Sequence, residues 1–214
     1  PVATTPAATP RAATPAPVAT TPAPTPKPKP QGVLRVGVSE WGYATFDPYV
    51  SSNTGLNIQG MIYDWLVGVT ADGSDIGTEG GLATKWELAP DGLAWTFYLR
   101  KGAQWDKGYG EVTAEDVKFS LDRTIFKAGT MATFAIALKA GIKEIVVVDP
   151  YTVKINTNYP YVILPYDLSK LISGEGIIIP KKAVEQLGDK EYALNPVGSG
   201  PYRVVYYEPG LYFK

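Results

Sequence analysis

The chain has 214 residues, with 20 basic and 21 acidic side chains, a formal net charge of −1, and neither histidine nor cysteine. The absence of these two residue types excludes Ser-His and Cys-His nucleophile pairs, histidine and thiolate metal sites, and disulfide bonds. No lysine-arginine stripe points to a nucleic-acid surface, and no apolar run approaches the roughly 18 residues that a membrane helix needs.

Residues 1–30 differ in composition from the rest of the chain. They hold ten of the 19 prolines, eight alanines, seven threonines and no acidic residue. Because so few large apolar side chains cannot offset the entropy cost of ordering, we predict a disordered Pro/Thr/Ala-rich linker. It is either an extended stalk that holds a domain away from a surface or a terminus without a task.

The folded part is predicted to begin with a strand over residues 33–38, whose apolar side chains suit a buried position. The loop at 39–49 is rich in aromatic side chains. Asn53 or Thr54 is a candidate N-cap for a helix that runs to about Leu66, with its apolar residues mostly on one face.

Two hairpins are predicted in the middle of the chain. Strand-forming runs at 85–88 and 94–100 flank a Pro-Asp-Gly turn, and runs at 142–148 and 151–156 flank an Asp-Pro turn. Between them, an acidic residue stands three positions after Thr113, which is typical of a capping box. That pattern predicts a helix to about Phe126.

The C-terminal third is predicted to alternate short helices and strands. The expected elements are a helix within 161–171 that is interrupted near Pro165, a buried strand at 177–179, a helix over 181–187 that ends at Gly188, and a last strand at 202–207.

Six motifs, in their order along the chain, resemble one protein family. They are YDWLV at 63–67, GLATKWE at 81–87, DGLAWTFYLRKG at 91–102, TAEDVKFS at 113–120, VDPYTV at 148–153 and NPVGSGPY at 195–202. The sequence is similar to the extracytoplasmic solute-binding proteins of the peptide, dipeptide and nickel class (solute-binding protein family 5), which serve ATP-driven importers in prokaryotes. The resemblance covers essentially all of residues 33–210.

The resemblance implies an α/β fold of the periplasmic-binding-protein-like class II type, in which a mixed sheet with flanking helices forms a large lobe and a smaller α+β lobe is inserted. Residues 31–60 and 175–214 are then the first large lobe, and residues 61–174 are the inserted small lobe. Family members usually continue into a second large lobe. We therefore expect residues 31–214 to be the N-terminal portion of a solute-binding domain, with the second large lobe missing from a fragment or a truncated gene product.

The function implied by the resemblance is the extracytoplasmic substrate-binding component of an ABC importer rather than an enzyme. Such a protein binds peptides or similar small solutes in a cleft between its lobes and delivers them to the membrane permease subunits. We expect it in the periplasm or on the outer face of the membrane, tethered by an N-terminal lipid anchor that was removed from this sequence. No cofactor, metal ion or nucleic acid is expected.

Aromatic side chains of the loop after the first strand are the first candidates for ligand contact. Trp41, Tyr43 and Phe46 are placed there, because ligands of open α/β sheets lie at the carboxyl ends of the strands and aromatic rings offer a large contact area. The alternative is that the same rings pack as core against the following helix.

Polar candidates lie at two other positions. The helix start at Asn53 and Thr54 offers backbone N–H groups to a ligand carboxylate, or is an ordinary N-cap. Gly174 and Glu175 either contact a ligand amine or belong to a plain turn.

Two further motifs are interpreted as structural. The glycines at 198–200 are followed by Pro201 and a predicted strand instead of a helix, so a turn is favoured over a phosphate loop. Asp72, Asp75 and Glu79 lack the calcium-loop spacing and are interpreted as a solvated turn.

Two other functions remain open from the sequence. One is a carboxylate-based hydrolase of extracellular glycans, because acidic residues are numerous, although no motif selects a catalytic pair. The other is a surface adhesion or structural domain, in which the linker and the aromatic loop bind a partner.

Overall fold

A computed structural model describes part of the chain. The described residues are 32–33, 35–37, 45–50, 56–127, 134–172, 174–208 and 211–214, with the side chains of 56 and 57 excepted. The chain divides into two units, Pro1–Gly37 and Val38–Lys214, and all helices and strands below belong to the second unit.

In the first unit, the expected strand over 33–38 is not formed by the residues that are described there. Residues 33 and 35–37 carry no strand, and Val33 and Val36 are 82% and 68% exposed. An extended segment becomes a strand only where a neighbouring backbone accepts its hydrogen bonds. The prediction is therefore wrong for residues 33 and 35–37.

The helices of the second unit are short. They are α1 (Leu56–Ile62), α2 (Ala114–Leu121), α3 (Ala135–Gly141), α4 (Leu164–Asp167) and α5 (Lys181–Tyr192), together with a π-helical turn at Asp122–Phe126 and 3₁₀ turns at Pro48–Val50 and Asp106–Gly108. No helix within the described ranges is long and apolar enough to cross a membrane.

Helix α2 begins at the predicted capping box. The Thr113 N–H donates to Asp116 Oδ2 at 2.9 Å, which satisfies one of the backbone donors left over at a helix start. The helix continues as the π-helical turn to Phe126, so the predicted extent is confirmed. The π-helical turn is wider than an α-helical turn, and it buries three consecutive residues, Arg123 to Ile125. An α-helix with a single apolar stripe does not bury three residues in a row.

The strands are mostly parts of hairpins. They are β1 (Gly68–Val69), β2 (Ile76–Gly77), β3 (Ala83–Leu88), β4 (Ala94–Leu99), β5 (Gln104–Trp105), β6 (Gly110–Glu111), β7 (Ile142–Asp149), β8 (Thr152–Thr157), β9 (Tyr207–Glu208) and β10 (Tyr212–Phe213). An antiparallel sheet has the order β3-β4-β8-β7. Both predicted hairpins are therefore confirmed.

This four-stranded sheet has one apolar and one polar face. Phe97, Val153 and Ile155 point to the core, whereas the Tyr98 hydroxyl on the other face donates to Glu87 Oε2 at 2.8 Å. Helix α2 packs on the apolar face against β7 and β8, and α3 packs against β7. One-sided burial of this kind is typical of antiparallel sheets.

A second region of strand-like pairing surrounds residues 65–67. Trp65 forms a parallel bridge to Gly81 and an antiparallel bridge to Ile177, and Val67 forms a parallel bridge to Ser169. The predicted helix to Leu66 is thus too long: α1 ends at Ile62, because residues 63–67 are all buried and pair with chain on both sides. Helices combined with parallel and antiparallel pairings confirm the α/β class.

The last third follows the prediction in part. Helix α5 is interrupted at Gly188, where φ is 76°, and then resumes to Tyr192. Of the strand predicted at 202–207, only the final residue belongs to β9, and Tyr202 and Val205 are exposed. The proposed lobe boundaries at 60/61 and 174/175 stay a prediction.

Candidate functional site

The segment at 45–50 forms a compact turn around Asp47. The Asp47 N–H donates to Thr45 Oγ1 at 3.1 Å, and the Tyr49 N–H donates to Asp47 Oδ1 at 3.0 Å. An aspartate that accepts a hydrogen bond from the backbone two residues later, with a proline between, is common turn chemistry. We call residues 45–50 the Asp47 segment.

A buried ionic cluster holds the Asp47 segment. Arg123 donates from Nη1 to Asp47 Oδ1 at 2.7 Å and from Nη2 to Asp47 Oδ2 at 2.6 Å, and both side chains are almost fully buried. Arg123 also reaches Asp189 at 3.0 Å, and Asp189 pairs with the half-exposed Lys127 at 2.8 Å. The Arg123 guanidinium lies 4.6 Å from the centre of the Tyr49 ring, which adds a cation–π contact.

The cluster keeps its groups charged. Burial alone lowers the pKa of Arg123, but hydrogen bonds and charge from Asp47 and then Asp189 outweigh burial and raise the pKa above its usual value. The hydrogen bond from Lys127, followed by that from Arg123, lowers the pKa of Asp189. The surroundings of Arg123 and Asp189 therefore favour the charged forms of these two side chains.

Phe46, a predicted ligand residue, is fully buried. Its ring meets those of Tyr207 and Phe213 edge to face, with centroids 4.9 and 5.9 Å apart. Its carbonyl accepts from the Tyr63 hydroxyl at 2.9 Å, and burial raises the pKa of Tyr63 well above its usual range. Ligand contact by Phe46 stays a prediction, and the ring offers no exposed surface in this structure.

Glu175, a second predicted ligand residue, is also buried. Its Oε1 accepts the N–H of Phe134 at 2.6 Å, directly before α3 begins. An acidic side chain at this place stabilises the N-terminal end of a helix. The neighbouring Gly174 is half-buried, and its carbonyl accepts from the Ile177 N–H at 3.1 Å.

The other predicted site residues cannot be compared with the structure. Trp41, Tyr43, Asn53 and Thr54 lie outside the described residues. Of the seven predicted ligand residues, the structure describes three: Phe46 lies in the aromatic core, Glu175 accepts a hydrogen bond at the start of α3, and Gly174 accepts one from Ile177. The cluster of Asp47, Arg123 and Asp189 has no signal in the sequence, because its members are 66 and 76 positions apart.

An open groove of about 660 Å³ lies elsewhere in the described chain. Its lining includes Asp64, Thr70, Asp72, Glu79, Gly80 and Lys170. Asp64 already accepts hydrogen bonds from Arg100 Nη2 and Ser199 Oγ, at 2.5 and 3.0 Å. Hydrogen bonds from the hydroxyls of Thr70 and then Ser74 lower the pKa of Asp72 to about 2. Asp64 and Asp72 in this groove are thus engaged in hydrogen bonds within the chain.

The aspartates of the turn at 72–79, for which the sequence indicates a solvated turn, make hydrogen bonds of their own. Asp72 and Asp75 are bonded within the turn or to Tyr166, and the described residues contain no group of three acidic side chains placed to hold a metal ion. At 198–200 the chain packs closely, because a Cβ on Gly198 would lie 2.0 Å from the carbonyl oxygen of Ile62. Both features agree with structural turns.

The sequence matches a model of a known protein family. The family model described as "Bacterial extracellular solute-binding proteins, family 5 Middle" matches residues 77–214. The chain belongs to this family. The resemblance inferred from the six motifs is therefore confirmed.

Curated relatives of this family 5 chain are named after their solutes. It is 32% identical over 180 residues to the periplasmic oligopeptide-binding protein OppA of Haemophilus influenzae, covering 75% of this chain and 31% of OppA. It is 29% identical over 163 residues to the glutathione-binding protein GsiB of Salmonella choleraesuis, covering 76% and 30%. The chain thus spans about a third of the length of these relatives.

Solved structures confirm the periplasmic-binding-protein-like fold. MoaA from A. tumefacien R10, in complex with mannopinic acid, is 38% identical with a TM-score of 0.68, covering 78% of this chain and 33% of MoaA. NikZ from Campylobacter jejuni, in complex with Ni(L-His), is 26% identical with a TM-score of 0.66, covering 79% and 32%. The Helicobacter pylori DppA complex with peptide STSA is 28% identical with a TM-score of 0.64, covering 77% and 35%.

Proposed function

We propose that this family 5 chain belongs to the extracytoplasmic binding component of an ABC importer, which binds a peptide or a similarly small polar solute and delivers it to a permease. The observation that carries the proposal is the family match over 77–214, because relatives in the same family are named for binding oligopeptides and glutathione. The solute lies in a cleft between lobes that close by a hinge motion, driven by better contacts in the closed state.

The proposed ligand-binding residues are those of the sequence prediction. Trp41 and Tyr43 line the cleft with aromatic surface, and Asn53 and Thr54 offer polar groups to a solute carboxylate. Phe46, Gly174 and Glu175 complete the proposed set. Because Phe46 and Glu175 are buried, a solute reaches either side chain only after neighbouring residues move.

The proposed location is outside the cytoplasmic membrane. The Pro/Thr/Ala-rich composition of residues 1–30 suits a spacer between a lipid anchor and the binding domain. At about 3.1 Å per residue, such a spacer reaches roughly 90 Å from the membrane surface. The partners in this proposal are the permease subunits of the importer.

Calorimetric titration and thermal shift test the proposal, on the protein as its gene encodes it. The probes are the peptide Ser-Thr-Ser-Ala, glutathione, mannopinic acid and Ni(L-His), with free histidine as a control for the chelate. We expect one class to bind and to stabilise the fold by about 2.7 kcal/mol at a concentration of 100 Kd. If none of the four probes, nor mixed di- to pentapeptides or short sugars, gives heat or a shift in Tm, the proposed function is wrong.

A further inference from the structure

Three stretches of chain that are distant in sequence meet at one buried guanidinium. Arg123, in the π-helical turn, binds both oxygens of Asp47 in the Asp47 segment and one oxygen of Asp189 in α5. A π-helical turn at the end of an α-helix is rare and often marks a functional position. Here it places Arg123 inside the molecule, where its side chain is only 5% exposed.

The contacts leave the Asp47 segment little freedom. A planar guanidinium that engages both oxygens of one carboxylate fixes its orientation as well as its position. The same carboxylate accepts the Tyr49 N–H, and the guanidinium covers the Tyr49 ring. At the other end, the Phe46 N–H donates to the carbonyl of Ala193 at 2.9 Å.

A buried ion pair does not by itself indicate high stability, because apolar residues of equal volume often stabilise a core at least as much. What such a pair supplies is one defined arrangement of the segments that it joins. The Asp47 segment contains Phe46, one of the proposed ligand residues.

We propose that Arg123 is a positioning residue for solute binding, which clamps Asp47 and thereby holds the Asp47 segment, with the proposed ligand residue Phe46, in one place. The inference rests on the proposed function, but the clamp itself is testable without any solute. Its role differs from ligand contact, since Arg123 acts through Asp47.

Hydrogen exchange, followed by mass spectrometry on the ligand-free protein, tests the clamp. Arg123→Lys keeps the positive charge but loses the two parallel hydrogen bonds to Asp47, which we call the Arg123–Asp47 fork. Arg123→Gln combined with Asp47→Asn removes both charges, so neither is left buried without its partner. In both variants we expect exchange in 45–50 to accelerate about tenfold or more, with β4 and β8 unchanged. Unchanged exchange in 45–50 in both variants overturns the proposal.

Two control variants separate positioning from general destabilisation. Lys118→Gln removes a half-exposed ion pair with Asp122, next to Arg123 in the chain, and leaves the Arg123–Asp47 fork intact. Val153→Ala creates a cavity in β8 and accelerates exchange in the sheet. We expect neither variant to accelerate exchange in 45–50 selectively; if Val153→Ala does so as strongly as Arg123→Lys, the segment only reports global stability and the proposal fails.

The affinity for solutes tests the proposed role of Arg123 in solute binding. The probes are Ser-Thr-Ser-Ala, glutathione and Ni(L-His). For a probe that the unmodified protein binds, Arg123→Lys is expected to raise Kd about tenfold, and the two controls by less than about twofold. Equal affinity in Arg123→Lys contradicts the positioning role even if exchange accelerates. If the unmodified protein binds none of these three, nor mannopinic acid, mixed di- to pentapeptides or short sugars, the proposed function and the binding role of Arg123 both fail, while hydrogen exchange still decides the clamp.

Discussion

Asp189 makes the buried cluster sensitive to acid. Hydrogen bonds from Lys127 and then Arg123 lower its pKa below the usual 3.8. A carboxyl group whose pKa is depressed by folding contributes stability above its unfolded pKa and loses that contribution as the pH falls through the folded value. Asp72 behaves similarly for another reason, since its partners are the neutral hydroxyls of Thr70 and Ser74.

Urea unfolding from pH 7 to pH 2 measures what each aspartate contributes to stability. Repeating the series at high salt distinguishes an aspartate with cationic partners from one with neutral partners. We expect Asp189→Asn and Asp72→Asn each to lower stability at pH 7 and to approach the unmodified protein at pH 2. In 1 M NaCl the effect of Asp189→Asn should shrink, because its ion pair with Lys127 joins two half-exposed side chains and is screened, whereas that of Asp72→Asn should persist. Equal salt dependence of the two variants contradicts the assignment of the Asp189 shift to its cationic partners.

At the scale of elements, one carboxylate joins two helix starts. Asp116 Oδ2 accepts the Thr113 N–H at the start of α2, and Asp116 Oδ1 accepts the N–H of Lys181, the first residue of α5, at 3.0 Å. The Trp105 Nε1–H also donates to Oδ2, at 3.3 Å. The side chain therefore ties α2, α5 and the β5–β6 hairpin together.

Truncation of Asp116 should thus lower the free energy of unfolding more than loss of the cap on α2 does. We expect Thr113→Ala to lower the free energy of unfolding by about 1 kcal/mol, and Asp116→Ala to lower it by roughly 2–4 kcal/mol, because partly buried donors of two helices lose their carboxylate acceptor. Glu115→Gln, an exposed change in the same turn, should stay within about 0.5 kcal/mol. The three values come from urea unfolding, and equal losses for Thr113→Ala and Asp116→Ala would show that the link to α5 stabilises nothing.

The elements that could be predicted are those whose signals are local. The turns at Asp91-Gly92 and Asp149-Pro150 and the capping box at Thr113 each act within a few residues, and the structure has a hairpin or a helix start at each. The strands expected at 33–38 and 202–207 are apolar but need distant partners. Apolar composition alone does not supply those partners, so most of the predicted strand is absent at both places.

At the scale of the whole molecule, the family could be inferred from the order of its motifs, whereas the contacts of the candidate site could not. Glu175 is predicted as a ligand group from its place in a turn, but its carboxylate accepts the N–H of Phe134, 41 positions away. Arg123 and Asp47 are 76 positions apart, and neither stands out in a one-dimensional pattern. Pairings of this kind follow from the tertiary fold and not from spacing.

The exposed apolar side chains around β9 and β10 predict self-association. They are Tyr202, Val205, Tyr206, Leu211 and Tyr212, which are 46–73% exposed. Clustered apolar surface that is left in water favours burial against another molecule. We expect the sedimentation coefficient of the chain to rise with protein concentration.

Replacement of two members of this group tests the origin of that association. Val205→Ser combined with Leu211→Ser removes apolar area without touching the aromatic core, so it should shift the sedimentation profile toward monomer. Ile136→Ser is the matched control, because Ile136 is 85% exposed but lies on α3, away in sequence from β9 and β10. If the unmodified chain sediments as a monomer at every concentration, or if Ile136→Ser dissociates it as well as the double variant does, the surface around β9 and β10 does not drive association.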